Sequence, residues 1–204
     1  MKSCIVLCGG QGKRMGQDKG IMDYKDKPLI LHTLKAVSQV ADEIILVLRD
    51  ENQWETYSSL LSSFKEYFSF KDKLKVCFDV EKDQGPLVGI YTGLINLDSD
   101  RVLVVPCDSP LINGEFVMEM LDIDLDGHGA LVPRWEDGRV EPLHAVYYKG
   151  KTIPILKNLL KSSVRDVKSL LEKLDVFYVD AKSQNGDVFI NLNYPEDLEE
   201  LEQK

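Results

Sequence analysis

Ser3-Cys4-Ile5-Val6-Leu7-Cys8-Gly9-Gly10-Gln11-Gly12-Lys13-Arg14-Met15-Gly16 sets the architecture of this chain. An apolar run of strand length ends abruptly in a cluster of glycines and basic residues. A run without polar alternation reads as a strand buried on both faces, the mark of a parallel sheet. The glycines let a backbone approach phosphate oxygens, and their successive N–H groups can form an anion-binding nest. Two familiar phosphate templates nevertheless fail. Gly12-Lys13 is followed by Arg14 and lacks the first glycine of G-x-x-x-x-G-K-[ST]. Gly10, Gly12 and Gly16 are spaced one residue too long for G-x-G-x-x-G. Taken alone, the loop reads equally well as a tight strand-to-helix turn with surface charge.

Working outward, short β-branched runs alternate with longer helical patterns. Strands are predicted at 3–8, 43–48, 74–78, 101–105, 129–133, 143–148 and 176–179, and helices at 29–40, 53–64, 86–97, 115–122, 152–160, 165–174 and 195–203. That alternation argues for an α/β architecture with a largely parallel sheet. Segment 64–73 reads as a connection over the surface, and the chain 1–204 as one domain.

Composition excludes several function classes. The hydrophobic share of 44% and the charged share of 29% are those of an ordinary globular protein. No apolar run approaches the length of a membrane span, and the first strand turns to glycine too soon for a secretory signal. A cytoplasmic protein without membrane attachment is therefore expected. The net charge of −9 argues against nucleic acid. Residues 1–30 run against that balance, with six basic side chains (Lys2, Lys13, Arg14, Lys19, Lys25, Lys27) facing three acidic ones. A local cationic cluster beside a glycine loop suits a small polyanion. Cys4, Cys8, Cys77 and Cys107 contain no C-x-x-C pair and read as buried thiols, and His32, His128 and His144 are too dispersed for a metal triad.

Four further segments carry candidate chemistry. Val102-Leu103-Val104-Val105-Pro106-Cys107-Asp108-Ser109-Pro110 ends a strand in a carboxylate held between prolines. Ligand crevices of parallel sheets lie at such carboxyl ends, and a pre-positioned carboxylate suits Mg²⁺. Asp79 follows a strand, and Gly85-Pro86-Leu87-Val88-Gly89 opens a helix whose amides can face a ligand. Asn191 and Asn193 stand two apart on an expected extended stretch, pointing one way, with capping of the next helix as an equal reading. Arg139-Val140-Glu141-Pro142-Leu143 lies between two predicted strands, where a substrate loop could sit.

Together these segments resemble the nucleotidyltransferases of nucleotide-diphospho-sugar transferase fold, and most of all the molybdenum cofactor guanylyltransferase family. The pieces that carry the resemblance span nearly the whole chain in order: Leu7-Cys8-Gly9-Gly10, Arg14-Met15-Gly16, Asp18-Lys19-Gly20, Lys27-Pro28-Leu29, Gly85-Pro86-Leu87, Pro106-Cys107-Asp108, Glu141-Pro142-Leu143 and Asn191-Leu192-Asn193-Tyr194-Pro195. The resemblance implies a three-layer αβα sandwich with a mostly parallel, Rossmann-like sheet. It implies transfer of GMP from GTP to molybdopterin, with release of pyrophosphate and Mg²⁺ as cofactor. Residue by residue, it implies nucleotide binding by Leu7, Cys8, Gly9, Gly10, Arg14, Lys19, Asp79, Gly85, Pro86, Leu87 and Asp108. Catalysis would rest on Arg14, Lys19 and Asp108, with Asp108 on the metal, Glu141 toward the acceptor, and Asn191 and Asn193 near either the metal or the acceptor. Transient contact with cofactor-biosynthesis or acceptor enzymes would follow.

Two positions depart from the family pattern. Cys8 replaces an alanine, and Val47-Leu48-Arg49-Asp50 lacks an asparagine expected to help hold the nucleotide. Gly9-Gly10 and Gly85-Pro86-Leu87 favour GTP over CTP. Other readings stay open at this point: CTP or another phosphorylated acceptor on the same fold, an NAD(P)-dependent oxidoreductase, and a non-catalytic binding module.

Overall fold

The structure is a computed structural model that describes residues 1–8, 18–81, 85–184, 186–190, 192 and 197. In chain order the strands are β1 (Ser3–Leu7), the paired two-residue strands β2 (Asp23–Tyr24) and β3 (Lys27–Pro28), β4 (Glu43–Leu48), β5 (Leu74–Phe78), β6 (Arg101–Pro106), β7 (Ala130–Arg134), β8 (Ala145–Tyr148) and β9 (Val176–Asp180). The helices are α1 (Leu29–Ser38), α2 (Glu51–Ser62), α3 (Pro86–Ile95), α4 (Gly114–Asp122), α5 (Lys149–Lys161) and α6 (Val167–Leu171).

A seven-stranded sheet in the order β5-β4-β1-β6-β8-β7-β9 forms the middle layer. Every pairing is parallel except the two made by β8, which runs against β6 and β7. The alternation of side chains along β1 and β6 feeds two cores. Cys4, Val6, Leu103 and Val105 face α1, α2 and α4, whereas Ile5, Val102 and Val104 face α3, α5 and α6. The three-layer αβα sandwich therefore stands as expected.

The chain leaves β1 toward β4 and β5, then returns to place β6 on the other side of β1. The carboxyl ends of β1 and β6 thus flank a topological switch point, where two connections diverge and leave a crevice. Close packing of α3 over this centre demands small residues. A Cβ on Gly93 would lie 2.6 to 2.8 Å from three carbons of Ile5.

Most predicted elements form within two or three residues of their expected ends. Caps account for several differences. The Asp50 carboxylate accepts from Gln53 N at 3.0 Å and starts α2 two residues early. The Asp166 carboxylate caps Ser169 N, so α6 begins only at Val167, and it ends at Leu171 rather than 174. The segment 64–73 is a connection, but more than a surface one. It coils into two 3₁₀ turns, Lys65–Ser69 and Lys71–Lys73, and buries Phe70 between them in the core. Ahead of Asn191 and Asn193, which lie outside the described residues, the chain is not extended. Gly186–Phe189 is a 3₁₀ turn that buries Val188 and Phe189. The predicted helix at 195–203 lies outside the described residues, apart from Asp197. Among the described residues, no helix is long and apolar enough to cross a membrane.

Candidate active site

A cleft of about 260 Å³ opens at the switch point. Its floor is Leu7 and Cys8 at the end of β1 and Pro106, Cys107 and Asp108 at the end of β6. Asp18 and Lys19 close one side, Asp79 with Gly85, Pro86 and Gly89 another, and Leu143 a third. Seven of the expected residues therefore meet in one place: Leu7, Cys8, Lys19, Asp79, Gly85, Pro86 and Asp108.

The charged centre is an ion pair. Lys19 Nζ donates to Asp108 Oδ2 at 2.8 Å, with both side chains largely buried. Asp108 follows directly on the rigid end of β6, where Cys107 N donates to Leu7 O at 3.0 Å. Lys19 lies in a 3₁₀ turn, Lys19–Ile21, whose cap is Asp18. Burial, reinforced by the adjoining Cys107 thiol, pushes the Cys8 thiol well above its ordinary range, so that side chain is neutral in the cleft.

Asp79 is the second feature. Its N–H is fixed by Leu48 O at 2.8 Å, while its Oδ1 is buried without a hydrogen-bond partner among the described residues. Desolvation raises its pKa from 3.8 to about 6. A carboxylate held in this way is under-satisfied until something in the cleft donates to it. Beside it stands α3, where Pro86 occupies the first turn and Gly85 takes φ +74°, a conformation that favours glycine.

Two of the expected residues lie off the cleft lining. Leu87 is fully buried in the core beneath α3, so its side chain does not line the cleft. Glu141 is also absent from the lining. Its carboxylate accepts from Trp135 Nε1 at 2.7 Å and is raised in pKa by burial. Leu143, two residues on, takes the place at the cleft wall because His144 N turns back onto Glu141 O. Arg49, in place of the anticipated asparagine, donates from Nε to Asp50 Oδ2 at 3.3 Å. Gly9, Gly10, Arg14, Asn191 and Asn193 lie outside the described residues. Leu192, between the two asparagines, is buried and donates its N–H to Asp108 O at 3.1 Å.

Asp18 went unassigned in the sequence reading, as did its partners. Gln53 Nε2 and Tyr57 Oη both donate to its carboxylate. The Q-x-x-x-Y spacing on one helix face was the available signal.

The geometry meets its counterparts in known proteins. The model of the MobA-like NTP transferase domain matches residues 4–177. A probable molybdenum cofactor guanylyltransferase of Methanothermobacter thermautotrophicus is 37% identical across 97% of this chain and 98% of its own length. The chain belongs to the molybdenum cofactor guanylyltransferase family. Another member, a probable molybdenum cofactor guanylyltransferase of Methanosarcina mazei, is 35% identical across 98% of this chain and 89% of its own. Among solved structures, molybdopterin-guanine dinucleotide biosynthesis protein A from Archaeoglobus fulgidus superposes with a TM-score of 0.80 at 26% identity. The match covers 98% of this chain and 97% of that one. The family's fold is thus reproduced over nearly the whole chain.

Proposed function

We propose that this chain transfers GMP from GTP to molybdopterin, releasing pyrophosphate and forming molybdopterin guanine dinucleotide. The observation that carries the reading is the Lys19–Asp108 pair sharing one cleft with Asp79, in a chain with near-full-length relatives named molybdenum cofactor guanylyltransferase. The nucleophile is an oxygen of the terminal phosphate of molybdopterin. It forms a bond to the α-phosphorus, and the bond to the bridging oxygen breaks as pyrophosphate leaves with the electron pair. Such a phosphate is already an anion near neutral pH, so no histidine or cysteine base is required. The protein's task is to align two mutually repelling anions and to stabilise the charge that builds on the leaving group.

Lys19 supplies a compact positive charge for the triphosphate, and Arg14 is proposed beside it from the sequence. Asp79 accepts donors from the nucleoside, and the α3 amides behind Gly85 lie nearby. Asp108 suits a hard cation. Among the described residues no group of three or more His, Cys, Asp or Glu side chains forms a protein cage. Mg²⁺ is commonly held by one or two carboxylates, with substrate phosphates and water completing its shell, and Asp108 offers that arrangement. When bound, the ion would neutralise phosphate charge.

The test is incubation with Mg²⁺, molybdopterin and either GTP or CTP, following pyrophosphate and the dinucleotide together. GTP should support turnover. Lys19→Ala and Asp108→Ala should each lower kcat by about a hundredfold, the scale of one lost charge-stabilising group. Turnover with CTP alone would overturn the guanine assignment, and full activity in both variants would overturn the catalytic one.

A further inference from the structure

Gln53 and Tyr57 belong to α2, which contributes no side chain to the cleft lining from either position. Both are nevertheless buried polar residues, and the donations of both side chains meet at Asp18. Gln53 is 4% exposed. Its Oε1 accepts from Arg49 N at 2.7 Å, and its Nε2 donates to Cys8 O at 2.9 Å and to Asp18 Oδ2 at 2.5 Å. One amide therefore joins the exit of β1, the exit of β4 and the residue before Lys19. Cys8 and Asp18, the residues that flank segment 9–17 in the sequence, thus accept from the same nitrogen.

Tyr57, one helical turn further on, donates from Oη to Asp18 Oδ1 at 2.6 Å. Gly20 N donates to that same oxygen at 3.1 Å. Lys19 thus has a restrained peptide on each side, and its ammonium reaches Asp108. The fit at Gly20 is close, since a Cβ there would stand 2.1 Å from Tyr57 Oη. An apolar side chain at position 53 would bury similar surface without desolvating an amide. Its oriented bonds give Gln53 a geometric use that packing lacks.

We infer that Gln53 and Tyr57 are positioning residues that act through Asp18 to hold the Lys19 ammonium where it meets phosphate. The inference rests on the proposed reading of Lys19 as a phosphate-binding cation. The amide's direction makes a specific prediction. Gln53→Glu places oxygen against Asp18 Oδ2 and Cys8 O, and loses both donations. Asp18→Asn in that background turns a new Nδ2 donor toward the carboxylate introduced at position 53 and leaves its oxygen for Tyr57 and Gly20 N. It should recover part of the loss, because the Cys8 bond stays broken.

The experiment measures binding of inorganic pyrophosphate with Mg²⁺ to the whole chain by calorimetry, a probe that requires no assignment of base or acceptor. Lys19→Ala should weaken binding by about tenfold or more, and Gln53→Glu or Tyr57→Phe by about three- to tenfold, the range of lost bonds to charged groups. Combining either change with Lys19→Ala should cost nothing further, because the clamp acts only through the lysine. A merely structural role would lower the melting temperature and multiply the two losses. Multiplying losses, no weakening in Tyr57→Phe, or no pyrophosphate binding in the wild type would each overturn the inference. Tyr57→Phe decides the matter if Gln53→Glu does not fold. Failure of GTP turnover with an intact binding cycle would sink the proposed reaction and leave the clamp standing.

Discussion

Asp79→Asn should make the ligand-free protein more stable at alkaline pH, although it removes a residue proposed to hold the nucleoside. The reasoning starts from the buried, unpaired Oδ1 and a pKa raised by desolvation from 3.8 to about 6. A folded-state value above the unfolded one means the native protein binds the proton more tightly, so ionisation works against folding. Above about pH 6 the carboxylate is charged in both states and the cost is complete. As pH falls through 6 the native form takes up its proton, and below about 3.8 the cost has vanished. The full gap corresponds to about 3 kcal/mol. Asp79 is only partly buried, so screening by solvent reduces this to roughly 1–2 kcal/mol. Asparagine keeps the shape and never ionises. At pH 8 its melting temperature should exceed that of the wild type by about 2–8 °C, with about half the gain left at pH 5. Saturating GTP with Mg²⁺ should narrow or reverse the difference, because only the wild type offers the carboxylate. Paired thermal melts across pH 5–8 provide the assay. A gain that is absent at pH 8, or equal at both pH values, would refute the account.

Three further outcomes follow from particular contacts. Gly85→Ala puts a Cβ at φ +74° and 3.1 Å from Arg165 O, so it should destabilise the fold by about 1–2 kcal/mol and weaken nucleotide binding, as read by urea titration and calorimetry. Gly93→Ala should cost about 1–3 kcal/mol by forcing a methyl against Ile5, and adding Ile5→Val should return part of it in the same titration. His144, packed among Phe116 and Phe189 with Nδ1 unpartnered among the described residues, has its pKa lowered to about 3 by burial. The unfolded chain protonates near pH 6.5 while the native one does not, so stability should drain as pH falls from 6.5 toward 4. His144→Phe should flatten that slope in pH-dependent melts. An unchanged slope would show that other groups set it.

Some of this protein was settled by local chemistry that any reader of the chain can follow. Continuous apolar runs at 4–8, 44–48 and 102–105 leave no face for water, which forces helices onto both sides of a parallel sheet. Strand ends that stop in Gly9 and Asp108 mark where a ligand would sit, because the carboxyl ends of parallel strands gather at one edge. What stayed hidden depended on distance in the chain. Leu87 and Pro86 are neighbours with similar prospects in the sequence, yet the helix turns one into the core and leaves the other on the cleft. Nothing in the sequence paired Glu141 with Trp135, whose indole N–H the fold turns onto its carboxylate. Gln53 and Asp18 are 35 residues apart, and an amide and a carboxylate so separated carry no pattern until packing brings them within a bond's length. The glycine loop was legible as a candidate phosphate site only when read with the other motifs of the resemblance, because its own spacing fits neither familiar template. The bonds that join Cys8, Asp18 and Gln53 on either side of it were decided only when α2 packed against β1 and β4, because hydrogen bonds depend on direction as well as on residue type.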